Sequence, residues 1–338
     1  MSTIKDISER CGVSVSTVSK VLNGYREIGE KTREQVFKAV QELGYVQGER
    51  GRYARQQKGY QIGVLFSTLY YQGLKNEYFA YILSAFRQEA TKAGYDITFI
   101  EHNVGRKSMS YLEHTRNRNF DGVCIACADF TKPEVLELVN SEYPVVTIDH
   151  AFHEAISILS DNVDGMKQLV EYILSMGHKK IAYIHGTHSA VTHNRLVSFH
   201  SCMAAHGLQV PGEYLREGEY RNAETAEALT KELLALPEPP TCILASDDYA
   251  ALGVIKAIHQ KGLRVPENIS VAGYDGISVS QALVPKLTTI RQDTERIGKE
   301  AARRLIRLIE SPMTTPLESV LMKVELIAGE SVKPPQMH

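Results

Sequence analysis

Hydroxyl and basic side chains gather at two places near the N-terminus, and both could meet a polyanion. The stretch "SVSTVSKVLNG" reads as a short helix opened by Ser14, with Val15, Ser16, Thr17, Ser19 and Lys20 left on its outer side. Hydroxyl oxygens and the free N–H groups of a helix start suit phosphate oxygens. Further on, "VQGERGRYARQQKG", residues 46–59, sets Arg50, Arg52, Arg55 and Lys58 among glycines and reads as a flexible basic linker. Residues 1–58 hold 11 Lys and Arg against 7 Asp and Glu, a charge of +4, whereas the whole chain carries −2. A basic small unit joined to an acidic large one implies that only the first faces a polyanion. The competing reading of the first unit is a three-helix cap on the body that follows.

Other reactive side chains carry less. Cys124 and Cys127 form a C-x-x-C, but zinc would want a second pair, and "DGVCIACAD" reads as a buried strand in which the two face opposite ways. Packing is their expected role. His185, His188 and His193 in "HGTHSAVTHN" are read as polar loop residues, because a metal would need convergent geometry. No G-x-G-x-x-G follows the first strand, and neither a G-x-x-x-x-G-K-[ST] loop nor a G-x-S-x-G elbow occurs. Dinucleotide, phosphoryl-transfer and hydrolase chemistry therefore lack their machinery, so neither catalytic residues, a metal nor a cofactor is expected.

The elements that must position these groups change character near residue 59. From 4 to 44 three short helices are tightly punctuated: "IKDISERCG" stops at Gly12, "SVSTVSKVLNG" stops at Asn23-Gly24, and "GEKTREQVFKAVQELGY" places Val36, Phe37, Val40 and Leu43 on one face. Ile4, Ile7, Val18, Val21 and Leu22 supply the rest of a small core. A helix, a glycine turn and a second helix opened by a hydroxyl residue form a helix-turn-helix layout. From residue 60 onward, apolar β-rich runs such as "IGVLF", "GVCIA" and "PVVTI" alternate with amphipathic helices, the pattern of a parallel sheet covered by helices.

That series restarts at "KKIAYIHG". It predicts two similar α/β lobes, 60–160 completed by a helix at 293–310, and 161–290 completed by a strand at 319–327, with 331–338 left as a tail. Two such sheets place a ligand at the carboxyl ends of their strands, in the cleft between the lobes. At 338 residues the chain suits two or three packed units. No apolar run is long enough to span a bilayer, and "MSTIKDISER" has charges where a signal peptide needs an apolar core. A cytoplasmic protein without a membrane partner is expected, which argues against an exported solute-binding protein of the same two-lobed shape.

"TIKDISERCGVSVSTVSKVLNG" closely resembles the N-terminal signature of the LacI–GalR family of bacterial transcription regulators. The blocks "SDNVDGMKQLVEYILSMGHKKIAYIHG", "DDYAALGVIKAIHQKGLRVPENISVAGYDG" and "PKLTTIRQD" are similar to family blocks in the same order, so the resemblance covers nearly the whole chain. It implies an all-α helix-turn-helix headpiece (1–45), a hinge (46–59) and a two-lobed, periplasmic-binding-protein-like α/β domain (60–330) that binds a small effector and dimerises. It also implies a repressor whose operator affinity the effector controls; the alternative is a cytoplasmic sugar-binding protein or enzyme with an accessory helical domain. Carried over by position, Val15, Ser16 and Lys20 would contact base edges, with Lys20 suited to guanine. Ser14, Thr17, Asn23 and Thr32 would hold phosphates. A symmetric dimer of such headpieces requires double-stranded DNA with a pseudo-palindromic operator.

The same resemblance places Arg195 and Asp275 where the family grips its ligand, and Phe79, Tyr220 and Asp161 on pocket positions. Asp149 ends the strand "PVVTID", and Asp247 stands where the family more often has Asn. A fork of donors and a two-oxygen acceptor can each engage neighbouring hydroxyls, which makes a carbohydrate the natural effector. Asp149 and Asp161 also fit helix-capping or turn roles. Tyr70 and Tyr71, in a loop longer than the family's, could cover the cleft. In the hinge the family's Pro-Asn, Ala-Arg and minor-groove Leu are replaced by Gln47-Gly48, Gly51-Arg52 and Ala54, with Tyr53 alongside. Arg50, Arg52 and Arg55 are therefore expected on phosphates or in the minor groove, with weaker kinking. No leucine heptad closes the chain, so assembly is expected to stop at a dimer.

Overall fold

A computed structural model describes residues 4–22, 28–42, 59–67, 76–104 and 107–336. The helices Ile4–Cys11, Val15–Leu22 and Glu30–Glu42 form the N-terminal unit around Ile7, Val18, Val21, Val36 and Ala39. Gly12, at φ +63°, makes the turn between the first two, a conformation that a Cβ would strain. The Ser14 hydroxyl accepts from Thr17 N at 3.0 Å and so caps the second helix. One expected core residue is displaced: Phe37 is 38% exposed, and Ala39 takes the inward position between Val36 and Val40.

The body begins at Gly59, whose N–H donates to Asp121 Oδ1 (3.2 Å) while Gln61 N donates to Oδ2 of the same carboxylate (3.1 Å). The end of the expected linker therefore already belongs to the first lobe. That lobe is built on a six-stranded parallel sheet in the order Ser319–Met322, Ile156–Ser160, Val145–Ile148, Gly122–Cys127, Gln61–Phe66 and Asp96–Ile100. The strands at its centre are buried on both faces and read as unbroken apolar runs, as a covered parallel sheet requires. The helix Thr294–Glu310 packs here against the helix Glu77–Lys92, with Ala301, Ala302 and Leu305 beside Ile82 and Phe86. Gly298 permits that approach, because a Cβ there would sit 2.2 Å from the Ile82 carbonyl oxygen.

The second lobe carries a four-stranded parallel sheet in the order Ser270–Ala272, Cys242–Leu244, Ile181–His185 and Leu215–Glu217. The stretch 319–327, expected as one strand of this lobe, is two. Ser319–Met322 pairs in parallel with Ile156–Ser160 of the first lobe, and Val324–Ile327 pairs antiparallel with Thr289–Gln292. Met322 packs into the first lobe's core and Val324 into the second's, so the chain crosses at Lys323 between two apolar anchors. Residues 331–333, expected in a free tail, are also built in. Val271 N donates to the Ser331 carbonyl (2.9 Å), and a nitrogen of buried His178 lies 2.8 Å from the Lys333 carbonyl. No helix among the described residues is long and apolar enough to cross a membrane.

Candidate functional site

A cavity with about 750 Å³ of empty space, counting its mouth, lies between the lobes. It falls in the size range of small-molecule sites. Phe79, Asp149, Arg195, Tyr220, Asp247 and Asp275 all stand on its wall. Asp161 does not. It caps the helix Asn162–Ser175, its Oδ1 accepting from Asp164 N at 2.9 Å, and its neighbour Asn162 holds the wall residue Arg195 instead. Strand ends and helix starts place two polar residues side by side there, and only the fold decides which one turns inward.

Arg195 is 3% exposed and held on every side. Its Nε donates to Asn162 Oδ1 (2.7 Å) and its Nη1 to the Ser246 carbonyl (3.1 Å), while the guanidinium lies 3.5 Å from the centroid of the Tyr274 ring. Nη2 is 3.8 Å from Asp275 Oδ1, close enough for attraction and too long for a hydrogen bond. Asp275 Oδ1 accepts instead from Gln292 Nε2 at 2.7 Å. Burial raises the Asp275 pKa to about 7 against the pull of Arg195, with the Asp247 and Asp149 charges adding to the rise and the Gln292 bond opposing it.

Asp149 approaches from the first lobe. Its Oδ2 accepts from the Tyr78 hydroxyl (2.9 Å), and that hydroxyl also lies 3.3 Å from Gln292 Oε1. Asp149, Tyr78, Gln292 and Asp275 thus form a polar chain from one lobe to the other. Asp149 Oδ1 is shielded from solvent and makes no well-formed hydrogen bond, although the Ser160 backbone N–H lies close enough to help hold the carboxylate charged. Burial raises this carboxyl's pKa as well, offset by the Tyr78 bond, by Arg195 and by the Ser160 backbone N–H. A shielded acceptor without a donor is costly unless something supplies one.

Asp247 plays a different part. Its Oδ1 accepts from Ala250 N (2.9 Å), capping the helix Asp248–Gln260, and its Oδ2 accepts from Arg221 N (2.6 Å). It therefore fixes the wall segment that carries Tyr220 and Arg221. Among the described residues, three of the five non-glycine residues at positive φ line the cavity: Asp149 at +61°, Arg221 at +59° and Asp275 at +103°. Backbone strain of this kind persists where the surroundings over-determine it, and it gathers at binding sites.

Sequence reasoning missed several wall residues. Arg221 directly follows Tyr220, is buried, and stacks 4.0 Å over the Tyr249 ring. Gln292 ends the block "PKLTTIRQ". Phe130 and His150 stack face to face, with centroids 4.4 Å apart and planes 9° from parallel, and burial lowers the His150 pKa. Asp248, the second acid of "DD", lies behind the wall and holds Ile277 N (2.9 Å) and the Thr289 hydroxyl (2.6 Å). Cys127 lines the cavity while Cys124 packs in the first lobe's core. Both cysteines lie in one apolar cluster, because the pairing with Gln61–Phe66 shifts register after Leu65 and breaks the expected alternation. Among the described residues no group of three His, Cys, Asp or Glu could hold a metal ion. Tyr70 and Tyr71 lie outside the described residues.

On the headpiece, Val15, Ser16 and Lys20 project from the outer face of the second helix, with Ser14 at its start, Thr17 half-buried beneath it and Thr32 half-buried on the third helix. Asn23, Arg50, Arg52 and Arg55 lie outside the described residues.

Known proteins match both parts. Residues 3–47 match the model for bacterial regulatory proteins of the lacI family, and residues 170–332 match the periplasmic binding protein-like domain. The probable HTH-type transcriptional repressor ExuR of Bacillus subtilis (strain 168) is 30% identical over 98% of this chain and 99% of its own. The HTH-type transcriptional repressor PurR of Pasteurella multocida (strain Pm70) is 32% identical over the same shares. The chain belongs to the LacI family. It is a DNA-binding transcriptional repressor of that family with an effector-binding domain. Among solved structures, the Lac repressor dimer bound to operator and the anti-inducer ONPF is 28% identical, with a TM-score of 0.68 over 98% of this chain and 99% of that one.

Proposed function

We propose that this LacI-family repressor binds a polyhydroxylated effector, a sugar or sugar derivative, between its lobes, and that the effector changes the affinity of a homodimer for a pseudo-palindromic operator. The single observation that carries the effector class is Asp149, a carboxylate on the wall of the cavity whose Oδ1 makes no well-formed hydrogen bond within the protein. Across the site stand the Asp275 carboxylate and the buried Arg195. Carboxylate acceptors facing aromatic rings suit a molecule with hydroxyl donors on its edge and C–H groups on its face. A planar nitrogen heterocycle is the second reading, favoured by the parallel Phe130–His150 stack at the cavity wall.

The DNA side of the proposal rests on the exposed outer face of the second helix. Val15, Ser16 and Lys20 read base edges; Ser14, Thr17 and Thr32, together with Asn23, Arg50, Arg52 and Arg55, meet the backbone or minor groove. The Lac repressor dimer on its operator supports both the pairing and the duplex partner. The mechanism is linkage: an effector that prefers one lobe arrangement shifts operator affinity by its differential binding energy. A thermal-shift screen of the full-length protein against sugars, sugar phosphates and purine bases tests the effector class. Stabilisation by sugars supports the first reading, stabilisation by bases alone supports the second, and no shift with any of them overturns both.

A further inference from the structure

We infer that Glu77 and Ser278 form a latch that holds the lobes closed. Glu77 opens the helix Glu77–Lys92 of the first lobe, and Ser278 opens the short helix Ser278–Ala282 that leaves the second. Ser278 N donates to Glu77 Oε1 (2.8 Å) and the Ser278 hydroxyl donates to Glu77 Oε2 (3.0 Å). Both oxygens of one carboxylate are thus engaged by one residue of the opposite lobe. The two partners are held from behind by separate elements. Asn76 Oδ1 accepts from Phe79 N (3.4 Å) at the start of the Glu77 helix, and Asp248 Oδ2 accepts from Ile277 N (2.9 Å), which fixes the turn that presents Ser278.

Apolar contacts continue the same seam. Ile277 is buried in the first lobe's core cluster, and Val279 and Tyr249 of the second lobe pack against that cluster. Deeper in the cleft, Arg221 Nη1 comes within 3.5 Å of Asn76 Oδ1. The seam therefore grades from apolar packing inside to a two-pronged, charge-assisted contact at its solvent edge. Contacts at that edge are exposed and individually modest, strong enough to bias two arrangements and weak enough to release. An effector enclosed by the lobes binds the closed form, so its apparent affinity scales with the closed fraction that the latch sets. This consequence rests on the proposed effector switch; the latch itself does not.

The test needs no effector. Cys127 lines the cleft, whereas Cys242 lies in the buried interior of the second lobe's sheet, so iodoacetamide alkylation mapped by mass spectrometry reports opening at the first and global unfolding at the second. In full-length protein, Glu77→Ala is expected to raise Cys127 alkylation and Ser278 amide exchange about tenfold, a modest factor for losing two charge-assisted hydrogen bonds because both lie at the solvent edge. Cys242 should be unaffected. Glu77→Gln, which keeps one acceptor oxygen, should show a smaller rise. If Cys127 and Cys242 rise together, Glu77 merely supports the fold and the latch is refuted. If neither moves, the apolar seam alone closes the lobes and the latch is refuted as well. An effector screen that finds no sugar would leave these outcomes intact.

Discussion

Replacing Asp149 by Asn separates a binding role from a structural one. The substitution keeps the shape, and an Asn oxygen can still accept from the Tyr78 hydroxyl that now lies 2.9 Å from Oδ2. The position of Oδ1, which makes no well-formed hydrogen bond, would then hold an amide N–H₂, a donor in place of an acceptor. A hydrogen bond from an effector hydroxyl to a carboxylate is worth about 1.5–3 kcal/mol, so effector affinity should fall roughly 10- to 150-fold. The protein without effector should behave oppositely. Burial raises the Asp149 pKa, which means that the folded state pays to keep the charge, and a neutral amide removes that cost. The Tm of the effector-free variant should therefore stay level or rise. Calorimetric titration with the effector identified by thermal shift, together with melting in its absence, reads both quantities. A variant with unchanged affinity, or one whose Tm falls along with its affinity, would refute the reasoning.

Asp275 gives a pH prediction whose sign follows from its raised pKa. Between the ordinary carboxylate value and about 7 the folded state binds more protons than the unfolded one, so this group's contribution to stability falls as pH rises through that window. Asp275→Asn should flatten that part of the stability curve, and effector binding by the wild type should strengthen from pH 5 to pH 8 as the acceptor ionises; a wild-type curve matching the variant's would contradict this. Gly298→Ala should lower Tm even though alanine favours helix by about 1 kcal/mol, because its Cβ would sit 2.2 Å from the Ile82 carbonyl and overpacking costs about 1–3 kcal/mol. A raised Tm would show that the two helices part easily. Ser14→Asp keeps a good helix cap but sets a negative charge at the proposed phosphate contact, so headpiece melting should hold while retention on DNA drops at low salt; unchanged retention would remove Ser14 from the interface.

Local rules made the headpiece and the lobes legible. Ser14 advertises a cap through its own side chain, Gly12 a turn through its lack of one, and the runs "IGVLF" and "GVCIA" declare buried parallel strands because both faces of such a sheet are covered. What stayed hidden depends on contacts between residues far apart in the chain. Nothing in "SVLMKVELI" marks Lys323 as a crossing, since apolar residues flank it on both sides and only their separate cores divide the strand in two. Phe37 and Ala39 both fit a helical stripe, and the narrowness of a three-helix core chose the smaller.

The cleft shows the same division more sharply. The sequence put seven residues at the site, and six of them line the cavity, yet the chemistry there depends on which of their atoms already have partners. Asp247 looked like a ligand-gripping acid, but both its oxygens are engaged by backbone N–H groups, and it acts by fixing Arg221 and its neighbours. Asp149 looked equally like a cap, and it is the residue with an acceptor left over. Two aspartates at strand ends are identical in a sequence; the count of donors around each distinguishes a wall support from a binding group. That count also links the site to a crossing between the lobes. Gln292, donating to Asp275 and facing Tyr78, sits on the strand just before the chain crosses into the helix Thr294–Glu310, so a ligand that competes for Asp275 pulls directly on a segment joining the two lobes.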